Sequence, residues 1–239
     1  MKMIPIENLP SFDTSEQNQI NTICSNLLFG SGDKKSIVVT SCHEKEGKTY
    51  AAIRLALFLV KEGYKVTLVD ADLSSSPDYY SVVSDVKTLT DYNSGECKLS
   101  DIVYKTDLSN LYLIPHSDKV PLFTATINTT LFSALLEELK QSNDFIIIDT
   151  PAAAHFIDAA KIASVSDGIV LVAEYNSTKK KDLAETVEQL RKSGCPILGC
   201  IINKLKFNSI ISRKRYRFMK TSFWKIMKQN NRKADRRKK

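Results

Sequence analysis

Gly47-Lys48-Thr49, Asp70-Ala71-Asp72 and Asp149-Thr150-Pro151 are the three places where this chain sets chemically capable side chains just after apolar runs or at a turn. A Gly-Lys-Thr that opens a helix lets backbone N–H groups and a lysine ammonium converge on a phosphate, and the helix end adds partial positive charge. The threonine hydroxyl can ligate a magnesium ion that bridges phosphates, and aspartates at neighbouring strand ends can complete its oxygen shell. The tripeptide alone decides little, because average composition yields Gly-Lys-Ser/Thr in roughly one chain in ten of this length. The surrounding elements have to carry the argument.

They form the right frame. Residues 35–40, Lys-Ser-Ile-Val-Val-Thr, read as a buried strand. Thr49 to Lys61 spaces Ala52, Leu55 and Leu59 at helical intervals and stops at Glu62-Gly63, where a C-terminal glycine is expected. Lys65 to Asp70 is a second strand that ends on an acid. The opening loop therefore lies between strand and helix in a βαβ unit, the context that a phosphate loop requires. Further along, strands are expected at 111–115, 145–149, 168–173 and 196–202, and helices at 130–141, 158–164 and 181–192. The alternation predicts an α/β fold with helices on both faces of a mainly parallel, twisted sheet, and ligands at the strands' C-terminal ends.

In this frame Lys45, Glu46, Gly47, Lys48, Thr49 and Tyr50 form the nucleotide loop, Lys48 reaches the phosphates, and Thr49, Asp72 and Asp149 are the candidate Mg²⁺ ligands. Bland readings stand beside these. An Asp after an apolar strand is often a helix cap or turn residue. His43 reads as an exposed loop residue, His116 and His155 lack metal-ligand spacing, and Cys42 reads as a small residue near phosphate and not a nucleophile.

The net charge of +7 hides an asymmetry. Fifteen of the 34 Lys/Arg and one of the 27 acids fall after Asn203, so residues 1–203 carry 19 cations against 26 acids. The organisation expected is an N-terminal extension at 1–15, one α/β domain at 16–206 and a basic tail at 207–239. The tail has two readings: a solvated, disordered run, or a basic amphipathic segment, with Phe218, Phe223, Trp224 and Ile226 among its cations, suited to an anionic membrane surface. Nucleic acid is the disfavoured anion, because no nucleic-acid motif accompanies the charge. The five cysteines have no Cys-x-x-Cys spacing and read as reduced thiols of a cytoplasmic protein. The N-terminus has no signal-peptide pattern, and no apolar run is long enough to span a membrane.

The order Gly47-Lys48-Thr49, Val69-Asp70-Ala71-Asp72-Leu73 and Ile146-Ile147-Ile148-Asp149-Thr150-Pro151 resembles the bacterial tyrosine kinases of capsule and exopolysaccharide synthesis. These lie within the deviant P-loop ATPases, which include division-site and partitioning ATPases. Similarity continues through Ala163-Ser164-Val165-Ser166-Asp167-Gly168 and Ile197 to Asn203. The resemblance implies a P-loop NTPase-like three-layer α/β/α fold and ATP- and Mg²⁺-dependent autophosphorylation on tyrosine. It also implies a transmembrane polysaccharide co-polymerase as activating partner, homo-oligomers, and a location at the inner face of the membrane. By position it makes Lys48, Asp70, Asp72 and Asp149 catalytic, with Asp70 orienting or deprotonating the acceptor hydroxyl, and sets Asn203 near the adenine. Tyr216 is the tail's acceptor candidate, and Tyr79 and Tyr80 are others.

The chain departs from the family at several positions. Glu44-Lys45 stands where the family has Pro-Gly, Ser74 replaces an arginine, the strand-end motif lacks a second proline, and Asn18, Asn21 and Cys24 replace a Glu-x-x-Arg-x-x-Arg ring motif. Two rival readings follow. One is a catalytically weak ATP-binding regulatory module of the polysaccharide assembly complex. The other, less favoured, is a partitioning-type ATPase, whose signature lysine would fall at His43.

Overall fold

The computed structural model describes residues 2–9, 21–22, 24–25, 28, 33–72, 79–80, 86–116, 127–153 and 157–204. The basic tail with Tyr216, and also Asn18, Ser74 and His155, lie outside the described residues.

Among the described residues seven strands form one sheet in the order β3-β4-β2-β5-β1-β6-β7. They are β1 Ser36–Ser41, β2 Val66–Asp70, β3 Tyr104–Lys105, β4 Leu111–Ile114, β5 Phe145–Asp149, β6 Gly168–Glu174 and β7 Ile197–Asn203. Every pairing is parallel except β3 with β4. The central strands are buried on both faces, which is why they are rich in Val, Ile and Leu and show no regular polar alternation.

The connecting helices are α1 Lys48–Lys61, α2 Leu89–Asn93, α3 Leu99–Ile102, α4 Thr129–Ser142, α5 Ile157–Ser164 and α6 Lys180–Arg191. Alternate residues of β1 divide the core between the two sheet faces. Ile37 and Val39 join Ala52, Leu55, Ala56 and Leu59 of α1, whereas Val38 joins Leu135 and Leu136 of α4, Ile162 of α5 and Val187 of α6. This is the expected three-layer sandwich. Each of Leu135 and Leu136 is fully buried, contributing about 2 kcal/mol apiece. Asn128 fixes the start of α4, its side chain accepting from the N–H groups of Thr130 and Leu131 at 3.1 and 3.3 Å.

The expected elements are present within one or two residues of their predicted ends, and Gly63 follows α1 at a φ of 92°. The short α2, α3 and β3 were not anticipated, since two to five residues carry no readable period. At the β3 edge the N-terminal segment adds a further pairing. Met3 bridges Lys105, the Ile4 N–H donates to the Lys105 carbonyl at 2.9 Å, and Ile4 and Ile6 are buried in the α1-side core.

Sheet order decides where the chemistry sits. β5 lies between β1 and β2, so Val39, Asp149 and Asp70 stand in register across three adjacent strands. The chain leaves β1 for α1 and returns on β2 at the far side of β5. A crevice therefore opens at the C-terminal edge, as such crossovers dictate.

Candidate active site

The loop between β1 and α1 is braced from within. Glu46 is 2% exposed, and its carboxylate accepts from the N–H groups of Cys42 and His43 at 2.9 and 3.1 Å and from the Thr178 hydroxyl. The end of β7 holds the loop from outside. The Asn203 amide donates to the Glu46 carbonyl at 2.9 Å, and the Lys204 ammonium donates to the Lys45 carbonyl at 2.8 Å and to Glu174 at 2.9 Å. These anchors hold Lys45 at a φ of 61° and Gly47 at 90°. Gly47 has to be glycine twice over, for its left-handed backbone and because a Cβ there would collide with the Asn203 amide.

The bracing aims the remaining donors. At the start of α1, the Ala51 N–H closes on the Gly47 carbonyl at 3.0 Å. The N–H groups of Gly47, Lys48 and Thr49 have no acceptor among the described residues. Unpaired N–H groups converging at a helix N-terminus form an anion cradle. Tyr50 follows on the first turn, its ring covered by the Arg54 guanidinium 4.2 Å from the centroid.

Facing the cradle is a buried cation among buried acids. Lys48 is ion-paired to Asp72, and Asp70, Asp72 and Asp149 are each at most 2% exposed. Burial alone would lower the Lys48 pKa, but the charges of Asp149, Asp72 and Asp70 outweigh it and hold the ammonium above its ordinary value. Asp149 answers oppositely: burial and the neighbouring Asp70 push its carboxyl well above the usual range, against the pull of Lys48 and the nearby Thr49 hydroxyl. Neither Asp149 oxygen has a hydrogen-bond partner among the described residues. Buried carboxylate oxygens are rarely left orphaned, and two of them beside a second acid and a threonine hydroxyl fit a hard divalent cation. The donor set therefore suits both a phosphate chain and Mg²⁺.

Asp70 has a different environment. Its Oδ1 accepts from His116 Nδ1 at 3.1 Å and from the Asp72 N–H at 3.2 Å. Its Oδ2 accepts from the hydroxyls of Tyr79 and Tyr80 at 3.0 and 2.9 Å. Burial and the charge of Asp70 raise the Tyr79 pKa well above the ordinary phenol value.

The structure thus brings together Lys48, Thr49, Asp70, Asp72 and Asp149, with Lys45 to Tyr50 as the loop. Asn203 touches that loop through its amide and the Glu46 carbonyl. His43 is half-exposed, as expected of a loop residue, and engages Asp182 of α6 at 3.1 Å. Cys42 is buried, which pushes its thiol up to about 12 and leaves it unreactive. Sequence reasoning missed His116, read only for metal spacing, although its place just past the end of β4 puts it on the same functional edge. It also missed the bracing by Glu46, Thr178 and Lys204, which no motif marks.

Comparison with known proteins identifies the family and the fold. A family profile described as AAA domain matches residues 34–199. The tyrosine-protein kinase CpsD of Streptococcus agalactiae is 36% identical over 191 residues, spanning 79% of this chain and 83% of its own. Among solved structures, the kinase domain of the Escherichia coli tyrosine kinase ETK superposes with a TM-score of 0.70 at 20% identity, over 87% of this chain and 91% of its own, which speaks to the fold. A McdA variant from Cyanothece, solved as its ATP complex, superposes with a TM-score of 0.68 at 26% identity, over 80% and 79%. A profile across most of the chain and a relative at this identity, on a nucleotide-binding P-loop fold, show that the chain belongs to the bacterial tyrosine-protein kinases.

Proposed function

We propose that this kinase phosphorylates tyrosine with Lys48, Asp70, Asp72 and Asp149 as its working groups, in the control of capsular or exopolysaccharide synthesis. The observation that carries the residue assignment is the buried cluster itself. A lysine and three acids gather at one sheet edge beside unpaired helix N–H groups, and the two Asp149 oxygens are orphaned. The Gly47, Lys48 and Thr49 N–H groups and the Lys48 ammonium hold the phosphates of ATP. Thr49, Asp72 and Asp149 hold Mg²⁺, which supplies charge neutralisation on the phosphates when bound. Asp70 accepts the proton of the acceptor phenol as that oxygen bonds to phosphorus and the terminal phosphoryl group parts from ADP. Asn203, whose amide donates to the Glu46 carbonyl, is the residue assigned to the adenine, as the family resemblance implies.

The cellular setting rests on the family resemblance and on charge. A transmembrane polysaccharide co-polymerase is the proposed activating partner. Among the described residues no helix is long and apolar enough to cross a membrane. The fifteen cations after Asn203 would draw the protein to the anionic inner face of the membrane.

The test uses the full chain with ATP, Mg²⁺ and a membrane fraction from the cells that make it, read by mass spectrometry for phosphotyrosine. Asp70→Asn should abolish phosphotyrosine while nucleotide binding stays within about twofold, because it removes a proton acceptor and no phosphate contact. Lys48→Ala should abolish nucleotide binding. Retained transfer in Asp70→Asn, or retained binding in Lys48→Ala, refutes the respective assignment.

A further inference from the structure

We propose that His116 is a positioning residue for phosphoryl transfer, and that with Asp70 it forms a built binding site for a phenol hydroxyl. The inference rests on the reading of Asp70 as the group that receives the acceptor's proton. It follows from how the two Asp70 oxygens are divided.

β4 and β2 run parallel with Ile114 in register with Val69, so the residues just past both strand ends are neighbours. His116 and Asp70 meet there, each about 2% exposed. The imidazole Nδ1 lies 3.1 Å from Asp70 Oδ1, which also accepts from the Asp72 N–H at 3.2 Å. That oxygen is committed to the frame. The other, Oδ2, meets phenols among the described residues: the hydroxyls of Tyr79 at 3.0 Å and Tyr80 at 2.9 Å. His116 contributes a second time through its main chain, whose N–H donates to the Tyr80 oxygen at 3.2 Å. A phenol hydroxyl here gives its proton to Asp70 Oδ2 and receives a hydrogen bond from the His116 N–H. Two of the chain's own tyrosines show the site holding its ligand class.

Chemistry explains why the imidazole is needed. A carboxylate turns easily about its last bond, and a part-turn here would swing the accepting lone pairs off the line to the phenol. Asp70 also stands in register beside Asp149 on β5, a second acid that repels it. A ring nitrogen donating to Oδ1 removes the rotation and draws charge away from Asp149. In transfer the phenol O–H bond breaks toward Asp70 Oδ2 as the phenol oxygen bonds to phosphorus, and the electron pair of the broken P–O bond leaves on ADP. The proton stays on Asp70 until solvent takes it. Apart from a long 3.5 Å approach of Nδ1 to the Tyr80 oxygen, the ring acts on the phenol through Asp70, so its effect should fall on the transfer rate and not on ATP affinity.

Substitution separates this role from a packing role. The full chain is assayed with ATP, Mg²⁺ and the same membrane fraction. The readouts are the rate of phosphotyrosine formation at saturating ATP, nucleotide affinity by fluorescent-nucleotide displacement, and the melting midpoint. His116→Ala should slow transfer by about tenfold or more, with nucleotide affinity within about twofold. His116→Asn places an amide N–H near the position of Nδ1 and should restore the rate to within about threefold of wild type. A wild-type rate in His116→Ala, or equal loss of rate, affinity and stability that Asn does not rescue, overturns the inference. Asp70→Asn distinguishes the levels. If it abolishes transfer while His116→Ala is neutral, only the role of His116 falls. If Asp70→Asn transfers normally, or wild type forms no phosphotyrosine, the underlying reading falls with it.

Discussion

Glu46→Ala should weaken nucleotide binding or lower stability, because its carboxylate braces the phosphate loop from within. The carboxylate satisfies three donors: the N–H groups of Cys42 and His43 and the Thr178 hydroxyl. Cys42 is fully buried, so its N–H would lose its partner outright, at about 1–3 kcal/mol. His43 and Thr178 are only partly buried, and water can replace much of what they lose, leaving about 0.5–1 kcal/mol each. The sum, about 2–5 kcal/mol, is held against the strain of Lys45 at a φ of 61°. If the loop gives way locally, a loss of about 3 kcal/mol appears as roughly a hundredfold weaker ATP affinity. If it holds, the same loss appears in the melting midpoint without ATP. Glu46→Gln keeps an acceptor for the two N–H groups and should lose less than about tenfold. Displacement of a fluorescent nucleotide, together with thermal unfolding with and without Mg·ATP, reads both channels. A Glu46→Ala protein that binds ATP and melts like wild type would show that the loop needs no internal brace.

Two further substitutions exploit charges held out of balance. Asp149→Asn should raise the melting midpoint of the nucleotide-free protein while removing the extra stabilisation by Mg·ATP. The folded pKa of Asp149 is raised above the unfolded 3.8, so stability falls as pH climbs through it. The gain, about 1–2 kcal/mol or roughly 2–8 °C, should therefore be present at pH 8 and vanish near pH 4; an unchanged or lower midpoint at pH 8 refutes it. Asp167→Asn should do the reverse. Burial opposes it, but the Ser36 N–H and hydroxyl and the Lys140 ammonium hold the Asp167 pKa below 3.8. Its contribution is thus complete above that value and lost as pH falls through the folded one. The variant should melt lower than wild type at pH 7, by a margin that narrows as pH falls below 3.8, and a pH-independent difference would refute the assignment to charge.

The parts legible in the sequence were those with a period or a motif. Runs such as Phe145 to Asp149 could only be buried parallel strands, and their order around Gly47-Lys48-Thr49 located Asp70 and Asp149 at one edge. Hidden from the sequence were contacts between segments far apart in the chain. His116 lies 46 residues from Asp70, and Thr178 lies 132 from Glu46. Neither pairing has a local signature, because strand order brings them together, and strand order is not written in any one strand.

The departure at Lys45 shows how such contacts decide function. A glycine at this turn would take a φ of 61° without strain, whereas lysine there costs about 1 kcal/mol. The chain offsets that strain from the far end of the sheet: Lys204 donates to the Lys45 carbonyl and is itself held by Glu174, and Asn203 holds the next carbonyl. Both anchors come from β6 and β7, which pair in parallel through Glu174 and Asn203. A loop that is intrinsically less favourable is thereby tied to a strand edge that a ligand or partner could also contact. The substitution moves control of the phosphate loop from its own backbone to the ends of β6 and β7. Disturbance at that edge should therefore reach nucleotide affinity without any change in the loop sequence.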